Sequence, residues 1–320
     1  MSVDRILLVS LDNLGDLVFA SALAPPLRER FPHAALDVWC KAYTADLASL
    51  IPGTRRVIAA DPFWDVAPGR GKGSRAEFLR AMRAVRSERY DVAVLAAAPW
   101  RTAAAVSATR IPRRIGLRRR KNRVFLTDVL PDEDPRQPVL HEIARLLSPL
   151  GISVTALRYR LDPSVLVDRR RRLRAAIGDR YAALHPFASK ENRCVPLSVW
   201  MELAKMLQQR MENILWIGGS SELNRVRELP TDSSWRFIDR VGDASLADTA
   251  AALADATLFV GHDSGPLHVA GALGVPVVGV FAPGEPLRTF PQGVGPSRML
   301  ARPSPAGITA ADILREIDAL

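Results

Sequence analysis

An acidic turn near the start of the 320-residue chain has residue types suited to proton transfer. It has the sequence LDNLGD over residues 11–16 and directly follows the aliphatic run Arg5–Ser10. A carboxylate held at a strand-to-helix turn can act as a general base towards a hydroxyl group. Asp16 is the preferred candidate, and Asp12 is the second because it comes earlier in the turn. A cap that accepts hydrogen bonds from backbone amides at the helix start explains Asp16 equally well.

A small-residue turn in the second half, with the sequence VGHDSGPLH over residues 260–268, has the properties of a phosphate site. The pattern predicts a buried strand, a helix that starts at about Pro266, and a stop at Gly274. Backbone amides at a helix start bind phosphate, and Ser264 and Gly265 supply them here. Such a turn suits the diphosphate of a nucleotide sugar.

Side chains in this second turn leave several roles open. Asp263 beside phosphate-binding amides fits a nucleotide-sugar site, but Asp263 and Ser264 also fit helix capping. His268 fits either a phosphate contact or a structural histidine. A metal site built from His262, Asp263 and His268 has no further ligand in the sequence to complete it, so no metal is expected.

The sequence patterns required for dinucleotide binding, a phosphate loop or a zinc site are missing from the chain. The first turn holds one glycine where a nicotinamide or flavin enzyme needs GxGxxG. Residues 69–74, GRGKGS, lack the spacing and the preceding strand of a phosphate loop. They are predicted to form a flexible loop of the first half of the chain. Cys40 and Cys194 have no CxxC spacing, which indicates two unpaired thiols and gives no support for a zinc site.

Alternating strands and helices must position both turns. In the first half the predicted strands are residues 5–10, 36–40, 56–60 and 91–96, and the predicted helices are 16–31, 43–50, 75–88 and 139–150. In the second half the predicted strands are 181–185, 213–217, 236–239, 256–260 and 275–281, and the helices are 196–210, one from 221, 245–253 and 266–273. This alternation indicates an α/β fold with two Rossmann-like, doubly wound parallel-sheet domains.

The domain boundary is predicted where the alternation changes, near the polar pair Asp162-Pro163. It separates an N-terminal domain, residues 1–163, from a C-terminal domain, residues 164–320. Loops at the carboxyl ends of parallel strands form the ligand sites of such domains. We therefore expect the two turns to face each other across a cleft between the domains.

The net charge of +10 indicates an anionic partner. Arginines are concentrated at Arg110–Arg123, predicted to be one loop region, and at Arg169–Arg174, predicted to be the solvent face of a helix. Nucleic acid is disfavoured as a partner because aromatic residues, which stack on bases, make up only 6% of the chain. A solvated charged surface is the alternative explanation for the first stretch.

Signals for membrane insertion and export are not found in the sequence. The longest nearly apolar stretches, residues 91–100 and 270–283, are too short and too interrupted by proline and glycine to span a bilayer. Asp4 and Arg5 precede a short apolar run that lacks the cleavage site of a secretory signal. A cytoplasmic protein is therefore expected.

Three motifs together resemble glycosyltransferase family 9, the lipopolysaccharide heptosyltransferases. They are RILLVSLDNLGD at residues 5–16, HPFAS at 185–189, and GHDSGPLH at 261–268 with ALGVP at 272–276. The last motif is the most specific, and the similarity runs over nearly the whole chain. The resemblance implies a GT-B fold, an ADP-heptose donor, no metal cofactor, and inversion at the anomeric carbon.

The resemblance also implies roles for individual residues by motif position. The catalytic base falls on Asp16, and the donor-binding positions fall on Asp263, Ser264, Gly265, His268, Arg193, Glu222 and Ser189. The usual tryptophan before Pro196 is missing, so Lys190 is the alternative to Arg193 as the phosphate contact. Glu222 follows a turn expected near the donor nucleoside, although a solvated carboxylate at a helix start explains it too.

The GT-B arrangement implies that the N-terminal domain binds the acceptor. The candidate acceptor contacts are Asn13, Arg118, Arg119 and Arg120. The implied acceptor is an anionic glycolipid core at the inner face of the inner membrane, where the protein would dock peripherally. The implied reaction is inverting, metal-independent transfer of heptose from ADP-heptose to a hydroxyl of that core. The alternatives are transfer from another nucleotide sugar, a nucleotide-sugar epimerase, and a sugar-nucleotide or glycan-binding protein without turnover.

Overall fold

A six-stranded parallel sheet forms the centre of each of the two units into which the computed structural model divides, Met1–Leu161 and Asp162–Leu320. The structure describes residues 3–66, 71–131, 136–188, 190–219, 222, 237–239, 245–283 and 286–320. The predicted fold class, α/β with two Rossmann-like parallel sheets, is confirmed.

In the first unit the strand order is β3-β2-β1-β4-β5-β6, with every neighbouring pair parallel. The strands are β1 (Arg5–Ser10), β2 (Ala35–Cys40), β3 (Thr54–Ala59), β4 (Val92–Leu95), β5 (Arg113–Leu117) and β6 (Asp128–Leu130). The α-helices are α1 (Leu14–Ser21), α2 (Ala24–Arg30), α3 (Ala45–Ala48), α4 (Arg75–Glu88), α5 (Trp100–Ala108) and α6 (Val139–Ala144). Three 3-10 segments span Ala42–Thr44, Arg123–Phe125 and Arg145–Leu150.

In the second unit the strand order is β12-β11-β10-β7-β8-β9, again with parallel neighbours. The strands are β7 (Tyr181–His185), β8 (Asn213–Trp216), β9 (Phe237–Asp239), β10 (Leu258–His262), β11 (Val277–Phe281) and β12 (Ser297–Ala301). The described α-helices are α7 (Val167–Ile177), α8 (Leu197–Leu207), α9 (Leu246–Ala254), α10 (Gly265–Ala272), α11 (Pro286–Thr289) and α12 (Ala310–Asp318). Two 3-10 segments span Pro163–Leu166 and Glu191–Arg193.

Both sheets place the first strand of their unit beside the fourth, β1 beside β4 and β7 beside β10. These central strands are aliphatic and almost wholly buried, as expected for parallel strands covered on both faces. In doubly wound sheets ligands bind at the carboxyl ends of the strands where the strand order reverses. The acidic turn after β1 and the small-residue turn after β10 both lie at such a position.

The predicted helix over residues 16–31 is wrong in two respects. It begins at Leu14, which places Asp16 inside the first turn of α1, and it is interrupted after Ser21. A new helix starts at Ala24, with Pro25 and Pro26 in its first turn. Proline has no amide hydrogen to continue the preceding helix, but the first turn of a new helix does not need one.

The prediction of one arginine-rich loop over Arg110–Arg123 is also wrong, because β5 lies inside it. Arginines at its start, Arg113 and Arg114, and directly after it, Arg118, hide its short apolar end, residues 115–117, from a reading of hydrophobic periodicity. Elements that the sequence patterns did not predict are α5, β5, β6, α11, β12 and α12. The sequence prediction for residues 69–74 includes 69 and 70, which lie outside the described residues.

A buried carboxylate ties the amino-terminal part of the first sheet together. Asp37, on β2, is 0% exposed. It accepts hydrogen bonds from the Arg55 guanidinium at 2.9 and 2.5 Å and from the Tyr90 hydroxyl at 2.5 Å. Arg55 belongs to β3 and Tyr90 to the segment before β4, so one carboxylate links three neighbouring parts of the sheet.

We expect Asp37→Ala to lower the free energy of unfolding by about 3 kcal/mol, because the Tyr90 hydroxyl and the Arg55 guanidinium lose their shared acceptor. Urea denaturation followed by circular dichroism measures this change. The matched control is Tyr90→Phe, which removes one donor and should cost about 1 kcal/mol. An Asp37→Ala protein as stable as the parent would show that the network does not stabilise the sheet.

Candidate functional site

The acidic turn of the first unit holds Asp16 partly buried at the carboxyl end of β1. Asp16 is the third residue of α1, and its Oδ2 accepts a hydrogen bond from the Asn13 amide at 3.3 Å. The same amide donates to Asp12 Oδ1 at 3.0 Å. Two carboxylates therefore share one backbone donor at the start of the helix.

This setting changes the acidity of Asp16. Burial raises its pKa from the ordinary 3.8 to about 6, and repulsion from the Asp12 carboxylate acts in the same direction. The Asn13 amide and the positive charge of Lys41 oppose the rise in pKa. A carboxylate with a pKa close to neutrality is suited to general-base catalysis, because it is ionised at working pH and basic enough to take a proton.

Lys41 is a residue of this site that the sequence patterns did not single out. It follows β2 directly and is only 1% exposed. Its Nζ lies 2.6 Å from Asp65 Oδ2 and donates to Asn13 Oδ1 at 3.3 Å. Its position in the sequence could have identified it. Lys41 is the first polar residue after β2, just as Asp12 is the first polar residue after β1.

The small-residue turn of the second unit connects β10 to α10. Ser264 precedes the helix, which starts at Gly265 with Pro266 in its first turn. Asp263 uses both carboxylate oxygens: Oδ1 lies 3.6 Å from His268 Nε2, and Oδ2 accepts from the Thr289 hydroxyl at 3.1 Å. Thr289, on α11, is a second residue that the sequence patterns missed, because it lies far along the chain from the motif.

The carboxyl ends of β7 and β10 meet through His185 and Ser264. The Ser264 hydroxyl lies 3.2 Å from His185 Nδ1 and donates to the His262 carbonyl at 3.0 Å. On its other side His185 Nε2 lies 3.8 Å from Glu222 Oε2, which accepts from the Gly219 amide at 2.6 Å. Two predicted donor-site residues, Ser264 and Glu222, are thus joined through His185.

His262 has a structural role in this unit. Its Nε2 accepts a hydrogen bond from the Val195 amide at 3.1 Å, so its Nδ1 carries the proton and donates to the Val280 carbonyl at 3.3 Å. Its ring also packs edge-on against Trp200. Both ring nitrogens are therefore occupied. Within the described parts of the chain, no three histidine, cysteine or acidic side chains are grouped as a metal site.

The predicted phosphate contact, Arg193, ends the short 3-10 segment between β7 and α8. It is half-buried, and its amide donates to the Lys190 carbonyl at 3.0 Å. Lys190, the alternative contact, is exposed. Ser189 lies outside the described residues.

The candidate acceptor contacts differ in their surroundings. Asn13 is exposed and accepts from Lys41, as described above. Arg118 and Arg120, which follow β5, are exposed, whereas Arg119 forms an ion pair with Glu142 on α6. The three arginines are therefore not equivalent.

Both arginine-rich stretches contain arginines that stabilise the fold. Within the first stretch, Arg113 pairs with Asp128 at 3.0 Å. In the second stretch the expected solvent face is partly wrong: Arg169 pairs with Asp248 at 2.7 Å, and Arg170 pairs with Asp255 at 2.6 Å. These two ion pairs join α7 to α9 and its carboxyl end.

No helix in the ranges that the structure describes has the length and apolar character needed to cross a membrane.

Comparison with known proteins agrees with this architecture. The family model for glycosyltransferase family 9 (heptosyltransferase) matches residues 78–302. Lipopolysaccharide heptosyltransferase 2 of Escherichia coli K12 is 24% identical over 307 residues, which cover 90% of this chain and 85% of that protein.

Solved structures show the same fold. The glycosyl transferase family 9 protein of Veillonella parvula gives a TM-score of 0.82 at 17% identity, over 100% of this chain and 98% of that one. Escherichia coli heptosyltransferase WaaC with ADP gives 0.78 at 20% identity, over 98% and 99% of the two chains. These likenesses identify the fold as GT-B. With a family model that matches most of its length, the chain is a glycosyltransferase and belongs to glycosyltransferase family 9.

Proposed function

We propose that the protein transfers heptose from ADP-heptose to a hydroxyl of an anionic lipopolysaccharide core, with inversion and without a metal. The observation that carries the proposal is the Asp16 carboxylate, with a pKa of about 6, at the carboxyl end of the central strand β1. The ADP-heptose donor is supported by the relatives, which include lipopolysaccharide heptosyltransferases and a heptosyltransferase solved with ADP.

In the proposed reaction the ionised Asp16 takes the proton from the acceptor hydroxyl. The hydroxyl oxygen forms a bond to the anomeric carbon from the face opposite the diphosphate. The bond between that carbon and the diphosphate oxygen breaks, its electron pair stays on the oxygen, and ADP leaves. One displacement inverts the configuration at the anomeric carbon, and it needs a base on one side and charge neutralisation on the other.

The second unit would hold the donor. The backbone amides at the start of α10, around Ser264 and Gly265, would donate hydrogen bonds to phosphate oxygens, and Arg193 would neutralise the leaving diphosphate. Asp263 and His268 would order this turn and contact the donor, and Glu222 would lie near the nucleoside.

The first unit would bind the acceptor. Asn13 belongs to the same turn as the proposed base, and the exposed Arg118 and Arg120 could pair with phosphates or carboxylates of the core. Because that core is lipid-linked, we propose that the protein acts in the cytoplasm at the inner face of the inner membrane, attached peripherally. The net charge of +10 favours such a surface.

We expect the purified protein to release ADP from ADP-heptose only when a lipid core acceptor is present. Asp16→Ala should bind the donor normally and lose at least about 100-fold in kcat/KM, the usual effect of removing a general base. In the parent, kcat/KM should fall about tenfold per pH unit below pH 6, because Asp16 becomes protonated.

A screen of ADP, GDP and UDP sugars with detection of free nucleotide measures this activity and tests the donor. Nuclear magnetic resonance of the donor incubated with enzyme alone provides the control. Conversion of the sugar without acceptor would support an epimerase instead. Full activity of Asp16→Ala would remove this residue from the role of base.

The raised pKa also predicts a stability effect of Asp16→Asn. Because the folded-state pKa of about 6 exceeds the ordinary 3.8, the ionised form destabilises the native state, and this loss is complete only above pH 6. The neutral asparagine should therefore raise the free energy of unfolding at pH 8 by roughly 2 kcal/mol. At pH 4 the gain should nearly vanish. Urea denaturation at the two pH values measures it, and equal gains at both would contradict an electrostatic cause.

The proposed phosphate contact is tested at Arg193. We expect Arg193→Gln to lower kcat/KM for the donor about 100-fold, since the charge that develops on the leaving diphosphate is no longer neutralised. Arg193→Lys should recover most of the activity because it keeps the charge. Initial rates over a donor series measure the effect. If Lys190→Gln shows the large loss and Arg193→Gln does not, the phosphate contact belongs to Lys190.

A further inference from the structure

Lys41 occupies a central place among the loops that surround Asp16. In the sheet order β3-β2-β1, the strand that precedes Lys41 lies between the other two. Its ammonium bonds in both directions, to Asn13 after β1 and to Asp65 after β3. A single charged group therefore connects the carboxyl-end loops of three adjacent strands.

The backbone next to Lys41 strengthens this connection. The Ala42 amide donates to Asp61 Oδ1 at 2.9 Å, so the segment after β3 is held at two points, Asp61 and Asp65. Thr44 also donates to the Lys41 carbonyl at 3.0 Å. The lysine is fixed at its backbone and at its ammonium, and its position relative to the catalytic turn is well defined.

Stability alone does not explain a charge at this place. Removing an ammonium from water costs several kcal/mol, and an ion pair seldom repays more than that cost. Here water screens the ion pair, because the Asp65 side chain is 45% exposed. A methionine of similar length could fill the same space without the desolvation cost.

The neighbouring charges supply a reason for the ammonium. The turn after β1 carries two carboxylates, Asp12 and Asp16, whose repulsion raises the pKa of Asp16 further above the level set by burial. Lys41 is the cation that opposes this effect. Two further titratable groups lie close by: Asp61, which accepts a hydrogen bond from the Ala42 amide, and Tyr43, which stays neutral because burial raises its pKa.

We propose that Lys41 is a positioning residue for glycosyl transfer, whose ammonium holds the Asn13 side chain and balances the carboxylates of the catalytic turn. The inference rests on the proposed role of Asp16 as the base. Lys41 does not touch the substrate in this role, since its side chain is buried. It acts through Asp16, by keeping that carboxylate ionised at the pH at which the enzyme works.

The test compares two variants that should move the titration of Asp16 in opposite directions. Lys41→Met removes the cation and should raise the pKa of Asp16 by about half to one unit. Asp65→Asn removes the counter-charge, leaves the cation uncompensated, and should lower the pKa of Asp16 by a few tenths of a unit. Carboxyl-carbon resonances of aspartate-labelled protein, with Asp16→Asn for assignment, give the pKa directly.

Kinetics supply the second readout. For Lys41→Met we expect kcat/KM to fall about two- to fivefold at pH 6 and to return to the parent value above pH 8, where Asp16 is ionised in both proteins. If both variants only loosened the loops, the pKa of Asp16 would shift in the same direction in both. That result, or an unchanged titration in Lys41→Met, would overturn the inference.

The two proposals fail separately. The resonance titration needs no turnover, so it measures the coupling of Lys41 to Asp16 whatever the reaction is. If Asp16→Ala keeps full transferase activity, the base role fails, and with it the catalytic meaning of Lys41. If Asp16→Ala is inactive and Lys41→Met titrates like the parent, the base role stands and the role of Lys41 alone is refuted.

Discussion

The chemistry available to the first unit depends on the partial burial of one carboxylate, that of Asp16. The doubly wound strand order puts β1 at the centre of its sheet, so the turn after it is enclosed by the loops of β2 and β3. That enclosure removes water from Asp16 and raises its pKa to about 6. The raised pKa of this carboxylate thus follows from topology, because the same turn at an edge strand would be solvated and its carboxylate fully acidic.

The second unit uses the same strand order for a different purpose. There the turn after the fourth strand, β10, ends at the start of α10, and backbone amides at a helix start favour an anion. The side chains around it are fixed by one another: His185 bridges Ser264 and Glu222, and His262 is held by the Val195 amide and the Val280 carbonyl. The side chains of this turn and of the neighbouring strands therefore hold one another in place, with the Asp263 carboxylate bonded to the Thr289 hydroxyl.

The sequence was sufficient to predict the parallel α/β class and both turns, because aliphatic strands and small-residue turns leave local signals. Prediction from the sequence failed where neighbouring residues masked the local pattern of an element. Arginines concealed β5, and the continuous helical spacing over residues 16–31 concealed the second helix start at the proline pair of α2. Contacts between distant segments had no local signal at all: Thr289 reaches Asp263 across 26 positions, and Asp65 reaches Lys41 from the next loop.

The aspartates of the two turns, one in each unit, are chemically distinct, and their contacts explain why only Asp16 suits the role of base. Asp263 has both oxygens engaged, one near His268 and the other with the Thr289 hydroxyl. An incoming proton would have to displace one of these partners. Asp16 accepts a long hydrogen bond, 3.3 Å, from the Asn13 amide, and a second carboxylate beside it increases its basicity. A carboxylate with a weakly engaged oxygen and raised basicity accepts a proton readily, whereas one fixed at both oxygens is better suited to orient a ligand.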